Sequence, residues 1–260
     1  MNNPRTAKNL RAMVLAAGLG TRLRPLTERV PKALVPAAGS PMIHYPLKWL
    51  KAQGFDEVIV NTHYLADELE AGLGDGSALG IKIAYSREIE LLGTGGGVGR
   101  ARKFFGNSRL VLINADTLLS ADLAAMMERH VSSGAVATMA LSRPAAGDDY
   151  TPVMVDAAGM VRRIGGRPES AGEGQGGLDA YHFTGLSILE PALVDYLPAD
   201  RFAHLAADGL VPAIADGKKV AAWPYSGYWK VLDNAERISE AEADMEAGRF
   251  VAAREKDKSN

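Results

Sequence analysis

Four short apolar runs recur through the first half of the chain, at residues 13–17 (MVLAA), 57–60, 81–85 and 109–114, and amphipathic stretches separate them. Strands buried on both faces read as near-continuous apolar runs of this length. Between the first two, residues 41–53 place Met42, Ile43, Tyr45, Pro46, Leu47, Trp49 and Leu50 among polar positions, the pattern of a helix lying on a sheet. Residues 65–73 suit a second, shorter helix. Such alternation predicts a parallel sheet with right-handed crossovers, hence an α/β fold, Rossmann-like, with helices on both faces of the sheet. At 260 residues the chain buries a large core, and one main domain with an insertion is expected.

The first run breaks at once into Gly18, Gly20, Arg22 and Arg24, and Lys32 follows on the stiff segment between Pro31 and Pro36. Glycines let a backbone approach a ligand closely and present several N–H groups, while nearby cations neutralise charge that amides alone cannot. A polyphosphate fits this description; a plain tight turn with solvated arginines is the alternative. The loop lacks the GK[ST] of a P-loop, and Leu23 stands where a dinucleotide fingerprint requires glycine.

A second glycine cluster, Gly93, Gly95, Gly96 and Gly97, breaks the chain just before a basic helix and is expected to form another ligand-contacting loop or a flexible helix entry. The run RLVLIN at 109–114 ends in Ala115-Asp116. In an open parallel sheet the carboxyl ends of strands carry the site, which sets Asp116 on the rim that holds Gly18. Further strands are expected at 135–141, 151–155, 179–189 and 219–224, with helices at 121–132, 191–196, 205–215 and 234–247. Residues 165–177 (GGRPESAGEGQGG) read as the most mobile loop. Residues 1–10 read as an N-terminal extension, 11–248 as the functional domain and 249–260 as a charged, frayed tail.

A formal net charge of −2 gives no reason to expect nucleic acid or a membrane as partner, so any anion site is local. The absence of cysteine excludes disulfides, thiolate zinc sites and a cysteine nucleophile. The first residues lack the apolar core of a secretory signal and no run approaches a membrane span, so a cytoplasmic protein is expected. His44, His63, His130, His182 and His204 show no ligand spacing and read as structural or solvated.

The string L-A-A-G-x-G-T-R-L-R-P-L-T followed by P-K-x-L-x-P resembles the sugar-1-phosphate nucleotidyltransferases, nearest to short bacterial enzymes of the N-acetylmuramate 1-phosphate uridylyltransferase and mannose-1-phosphate guanylyltransferase kind. The resemblance spans roughly residues 12–247. It implies a GT-A-like fold with a smaller sugar-side lobe and a reaction that couples a nucleoside triphosphate to a sugar 1-phosphate, releasing pyrophosphate. It also implies Mg²⁺, and a monomer or homo-oligomer. By the same resemblance Arg22 stabilises the leaving pyrophosphate, Lys32 aligns the reacting phosphates and Asp116 carries the metal. Leu15, Ala16, Ala17, Gly18, Gly20 and Thr21, with Thr94 and Gly95 of a G-T-x-G segment, take the nucleotide. Arg167 stands where an E-K-P motif offers its lysine to the sugar phosphate, and Gly185 lies on the sugar-side strand.

One departure is visible. The family closes its site with G-x-W-x-D-[IV]-G-T, whose aspartate is a second metal ligand, and Gly227 to Asn234 places Val231 there. Three outcomes stay open: Asp233 substitutes, because side chains of an extended chain alternate with period two; Asp116 holds Mg²⁺ with phosphates and water; or the protein is a catalytically weak or silent regulatory homologue. The chain ends without the β-helix repeats of some relatives, so a second activity of that kind is not expected.

Overall fold

The computed structural model describes residues 10–144, 150–168 and 177–250. They gather into two compact units, one holding residues 11–91, 113–121 and 227–250, the other residues 92–112 and 122–226 with Leu10. Strands and helices alternate along the chain in a mixed α/β fold with a mostly parallel central sheet.

In the first unit Met13, Val14 and Leu15 pair in parallel with Ile59, Val60 and Asn61, and Glu57–Thr62 pairs in parallel with Lys82–Arg87. The expected crossover helix is His44–Ala52, which buries Leu47 and two pairs of residues four apart, Tyr45 with Trp49 and Pro46 with Leu50. Burying one such large side chain stabilises the fold by about 1.5–3 kcal/mol. Trp49 also donates its indole N–H to the Ala121 carbonyl at 3.1 Å, so its polar edge is satisfied while its rings are buried. Helix Ala66–Leu73 buries Leu69 and Leu73 and carries Asp67 and Glu68 in its first turn, where the helix dipole favours acids.

The second unit is not the run of parallel strands that simple alternation implies. The long strand Asp179–Leu189 pairs antiparallel with Val153–Val155 through residues 179–181 and antiparallel with Ala137–Ser142 beyond them, while Val220–Pro224 runs parallel to Ala137–Ser142. The register shifts between Phe183 and Ser187, and Gly185 lies inside that shift with φ +89°, a bulge conformation that favours glycine. Helix Leu123–Ser133 is capped by Asp122, whose carboxylate accepts from the Ala124 and Ala125 amides. Its His130 is buried, with Nδ1 2.8 Å from the Thr138 hydroxyl and Nε2 3.2 Å from Glu190, and burial lowers its pKa. This histidine is structural, as its lack of ligand spacing suggests.

The second glycine cluster differs from its expected form. Gly93 opens helix Gly93–Arg100, so the glycines lie within a helix rather than in a loop before it, and Gly95, Gly96, Gly97 and Gly99 are buried. The reason is close packing of backbone on backbone. A Cβ at Gly96 would stand 2.5 Å from the Arg201 carbonyl oxygen, and one at Gly99 only 2.1 Å from that of Pro198. Thr94 belongs to the same junction, its hydroxyl accepting from the Leu205 amide at 2.9 Å.

Candidate active site

The loop after the first strand is wound into three short 3₁₀ turns, Thr21–Leu23, Leu26–Glu28 and Lys32–Leu34. Gly20 sits at φ +65° at the start of the first. A Cβ there would lie 2.9 Å from both the Lys32 Cβ and the Thr27 Cγ2, and Thr27 donates its hydroxyl to the Gly20 carbonyl at 2.7 Å. Gly20 is therefore demanded twice, by its backbone angle and by the crossing of the lysine segment. Gly18 is the opposite case. It is exposed, lies outside the left-handed region, and a Cβ on it would meet nothing within 4 Å.

Leu23 and Val35 anchor this loop in a cluster with Ala37, Met42, Tyr45, Leu118, Leu232, Ala241 and Phe250. With Leu23 and Val35 turned inward, the loop leaves Thr21, Arg22 and Arg24 exposed, along with Leu19 and Leu26. At its base the Ala16 amide donates to the Asn61 side chain at 2.8 Å, and Asn61 donates in turn to Glu88 at 2.8 Å; Asn61 and Glu88 are each 2% exposed. Nothing in the sequence marks Asn61 and Glu88 as partners, because a polar residue at the end of an apolar strand carries no local sign of what it will bond.

Asp116 stands just beyond strand Arg109–Asn114, and the neighbouring Ala115 amide donates to the Leu15 carbonyl at 3.0 Å. Lys32 pairs directly with Asp116 across 84 residues of sequence, each side chain mostly shielded from solvent. Two further strands, Thr117–Leu119 and Trp229–Val231, pair antiparallel, and the Leu232 amide donates to the Asp116 carbonyl at 2.8 Å. Three residues each are too short to show a period, which is why neither strand is visible in the sequence. Their ribbon brings the segment with Val231 and Asp233 alongside Asp116.

Asp233 is buried, at 2% exposure. Its Oδ2 forms an ion pair with Arg22 Nη1 at 2.6 Å, and its Oδ1 accepts from Arg237 Nη1 at 3.0 Å. Both oxygens of Asp233, one of the open candidates for the second metal ligand, are thus paired with guanidinium groups. Among the described residues no group of three or more histidines, aspartates or glutamates is arranged to hold a metal. A donor set of one partly shielded carboxylate, Asp116, fits Mg²⁺ with water, and phosphates when a nucleotide is bound, completing the shell, as that ion commonly accepts.

Of the expected site residues, 15–18, Gly20, Thr21, Arg22, Lys32, Asp116 and Asp233 all fall in the first unit, whereas Thr94, Gly95, Arg167 and Gly185 fall in the second. Arg167 is exposed beyond a tight turn in which Ile164 and Arg167 exchange backbone hydrogen bonds of 2.7 and 3.1 Å. Residues 169–176 of the loop expected to be mobile lie outside the described residues, as do 1–9 and 251–260.

The chain is thus an α/β protein with a glycine loop at the end of its first strand, Lys32 paired with Asp116, and Arg22 and Arg237 paired with Asp233. The fold is shared with HddC from Yersinia pseudotuberculosis, solved with GMP-PN: TM-score 0.75, 23% identity, covering 91% of this chain and 99% of that one. The sequence profile of the nucleotidyl transferase family matches residues 11–248, and the chain belongs to that family. It is 33% identical to mannose-1-phosphate guanylyltransferase of Mycobacterium tuberculosis over 91% of this chain and 65% of that protein. Identity is also 33% to N-acetylmuramate α-1-phosphate uridylyltransferase of Neisseria meningitidis, over 90% of this chain and 97% of that protein. UTP–glucose-1-phosphate uridylyltransferase of Synechocystis is 32% identical over 80% of this chain and 55% of that protein. The chain thus spans roughly the whole length of one of these relatives but less than two thirds of the other two. Among the described residues no helix is long and apolar enough to cross a membrane.

Proposed function

We propose that the chain couples a nucleoside triphosphate to a sugar 1-phosphate, releasing pyrophosphate and an NDP-sugar, with residues 11–248 as the catalytic domain. A phosphate oxygen of the sugar 1-phosphate attacks the α-phosphorus, the α–β bridging bond breaks and pyrophosphate leaves. Positioning and charge stabilisation carry such transfers, since little covalent help is needed. The observation that carries the reading is the direct contact of Lys32 with Asp116 beside a glycine loop that also presents Arg22.

Nothing in the fold requires glycine at position 18, so its bare backbone supports close approach of the triphosphate. With Leu15, Ala16, Ala17, Gly20 and Thr21 it would receive the nucleotide, and Arg22 would offset charge on the leaving pyrophosphate. Lys32 would exchange Asp116 for the reacting phosphates. Asp116 would then be free to hold Mg²⁺, which when bound neutralises phosphate charge and orients the transferring group. Thr94 and Gly95 are assigned to the nucleotide and Arg167 and Gly185 to the sugar phosphate. The relative matched along nearly its whole length favours UTP with N-acetylmuramate 1-phosphate as the first pair to try. A cytoplasmic location and a role in supplying cell-wall or polysaccharide precursors accord with such substrates and belong to the same proposal.

The test is a matrix of UTP, dTTP, GTP, CTP and ATP against a panel of sugar 1-phosphates, with and without Mg²⁺, following pyrophosphate. Turnover above background with at least one pair, dependent on the metal, is expected; silence across the matrix refutes the reading.

A further inference from the structure

We propose that Asp233 is a positioning residue for Arg22, and that the metal is left to Asp116 alone; this rests on the nucleotidyl-transfer reading of the site. The buried Asp233 carboxylate needs one cation for neutrality, and Arg237, four residues on, already supplies it from the adjoining helix Ala235–Glu246. Arg22 is thus surplus to that need. Its side chain is 69% exposed on a 3₁₀ turn with no side-chain cap, and a long side chain in such a place adopts many rotamers unless something holds it. Asp233 holds it at 2.6 Å through one nitrogen of a planar group that carries five N–H donors, so the exposed remainder stays available to a phosphate.

The anchor is itself rigid. On one side the Leu232 amide is tied to the Asp116 carbonyl; on the other, the Asn234 side chain accepts from the Arg237 amide at 2.8 Å and caps the helix. The Arg22, Asp233 and Arg237 trio keeps a net charge of +1, so anchoring does not cancel the cation that the pyrophosphate requires. A buried carboxylate already flanked by two guanidinium groups repels a further cation, so Mg²⁺ would bind there only by dismantling the trio. Valine at 231 and aspartate at 233 together exchange a metal contact for a fixed arginine.

The test is a double-mutant cycle of Arg22→Ala, Asp233→Asn and the pair, read by pyrophosphate release with varied Mg²⁺, by calorimetric binding of inorganic pyrophosphate, and by thermal melting. In wild-type background Asp233→Asn is expected to lower kcat about tenfold to a hundredfold, the cost of a misplaced group. KM and the Mg²⁺ concentration for half-maximal rate should stay within about twofold, and in Arg22→Ala background the same change should do nothing further. Equal losses in both backgrounds, or a raised Mg²⁺ requirement, overturn the proposal, the latter by giving Asp233 to the metal. Should Asp233→Asn fail to fold, Arg22→Lys at its exposed site decides: charge without the fork is expected to lose at least tenfold in kcat, and retained turnover overturns the anchor. Failure of every substrate pair would refute nucleotidyl transfer, while the pyrophosphate-binding cycle would still show whether Asp233 acts through Arg22.

Discussion

Lys32→Met removes a charge and keeps most of the side chain's shape, and the ion pair with Asp116 governs its consequences. Lys32 and Asp116 are 17% and 19% exposed, between the surface regime, where a pair contributes about 0–1 kcal/mol, and the buried one, where losing a partner costs about 3–5. A stability loss of about 1–3 kcal/mol is therefore expected, read by urea unfolding. Turnover should fall further, because losing a preorganised donor to a reacting phosphate costs on the order of 10²–10³ in kcat. A third effect has the opposite sign. In the free protein a metal must displace Lys32 from Asp116, so the variant should bind Mn²⁺ more tightly than wild type without nucleotide. Two unit charges 4 Å apart at an effective dielectric of 20 interact by about 4 kcal/mol, and if the displaced lysine regains most of that from water, roughly tenfold in affinity remains. The Mn²⁺ spectrum by electron paramagnetic resonance reads this on nucleotide-free protein, and adding nucleotide to wild type should close the gap. Weaker or unchanged Mn²⁺ binding in Lys32→Met, or turnover within about threefold of wild type, would refute the latch between Lys32 and Asp116.

Three further outcomes separate scaffold from site. Gly18→Ala should leave the melting temperature unchanged or slightly raised, since a Cβ there meets nothing and the unfolded chain loses freedom, yet raise KM for the triphosphate at least tenfold; an unchanged KM removes Gly18 from the phosphate contact. Gly99→Ala should destabilise by about 1–3 kcal/mol in urea, because a Cβ 2.1 Å from the Pro198 carbonyl oxygen outweighs the roughly 1 kcal/mol of helix propensity that alanine gains; a variant as stable as wild type refutes the backbone packing. The Lys230 ammonium, 2.9 Å away, is the first cause that holds the Asp244 carboxyl down at about 2, with hydrogen bonds from Tyr228 and Arg249 assisting. A depressed pKa adds stability above the ordinary carboxylate value that is lost as pH falls toward 2. Wild type should therefore lose melting temperature between about pH 4 and 2 more steeply than Asp244→Asn, and parallel curves refute the assignment.

Residue order alone offered the groups now proposed for the chemistry. A strand, two glycines, two arginines and a lysine between prolines lie within about two dozen residues, and local sequence suffices to present bare backbone and cations together. The strands and helices of the first unit were legible for the same reason, their apolar spacing being long enough to show a period. What tertiary structure decided has no local trace. Asp116 meets Lys32 across 84 positions, and Asp233 meets Arg22 through an antiparallel ribbon of three-residue strands, too short to leave a pattern. Gly18 and Gly96 both belong to glycine clusters read as ligand-contacting loops, yet one faces open space and the other a carbonyl oxygen. Sequence names the groups available for chemistry, but pairing energy depends on distance and burial, and packing determines both.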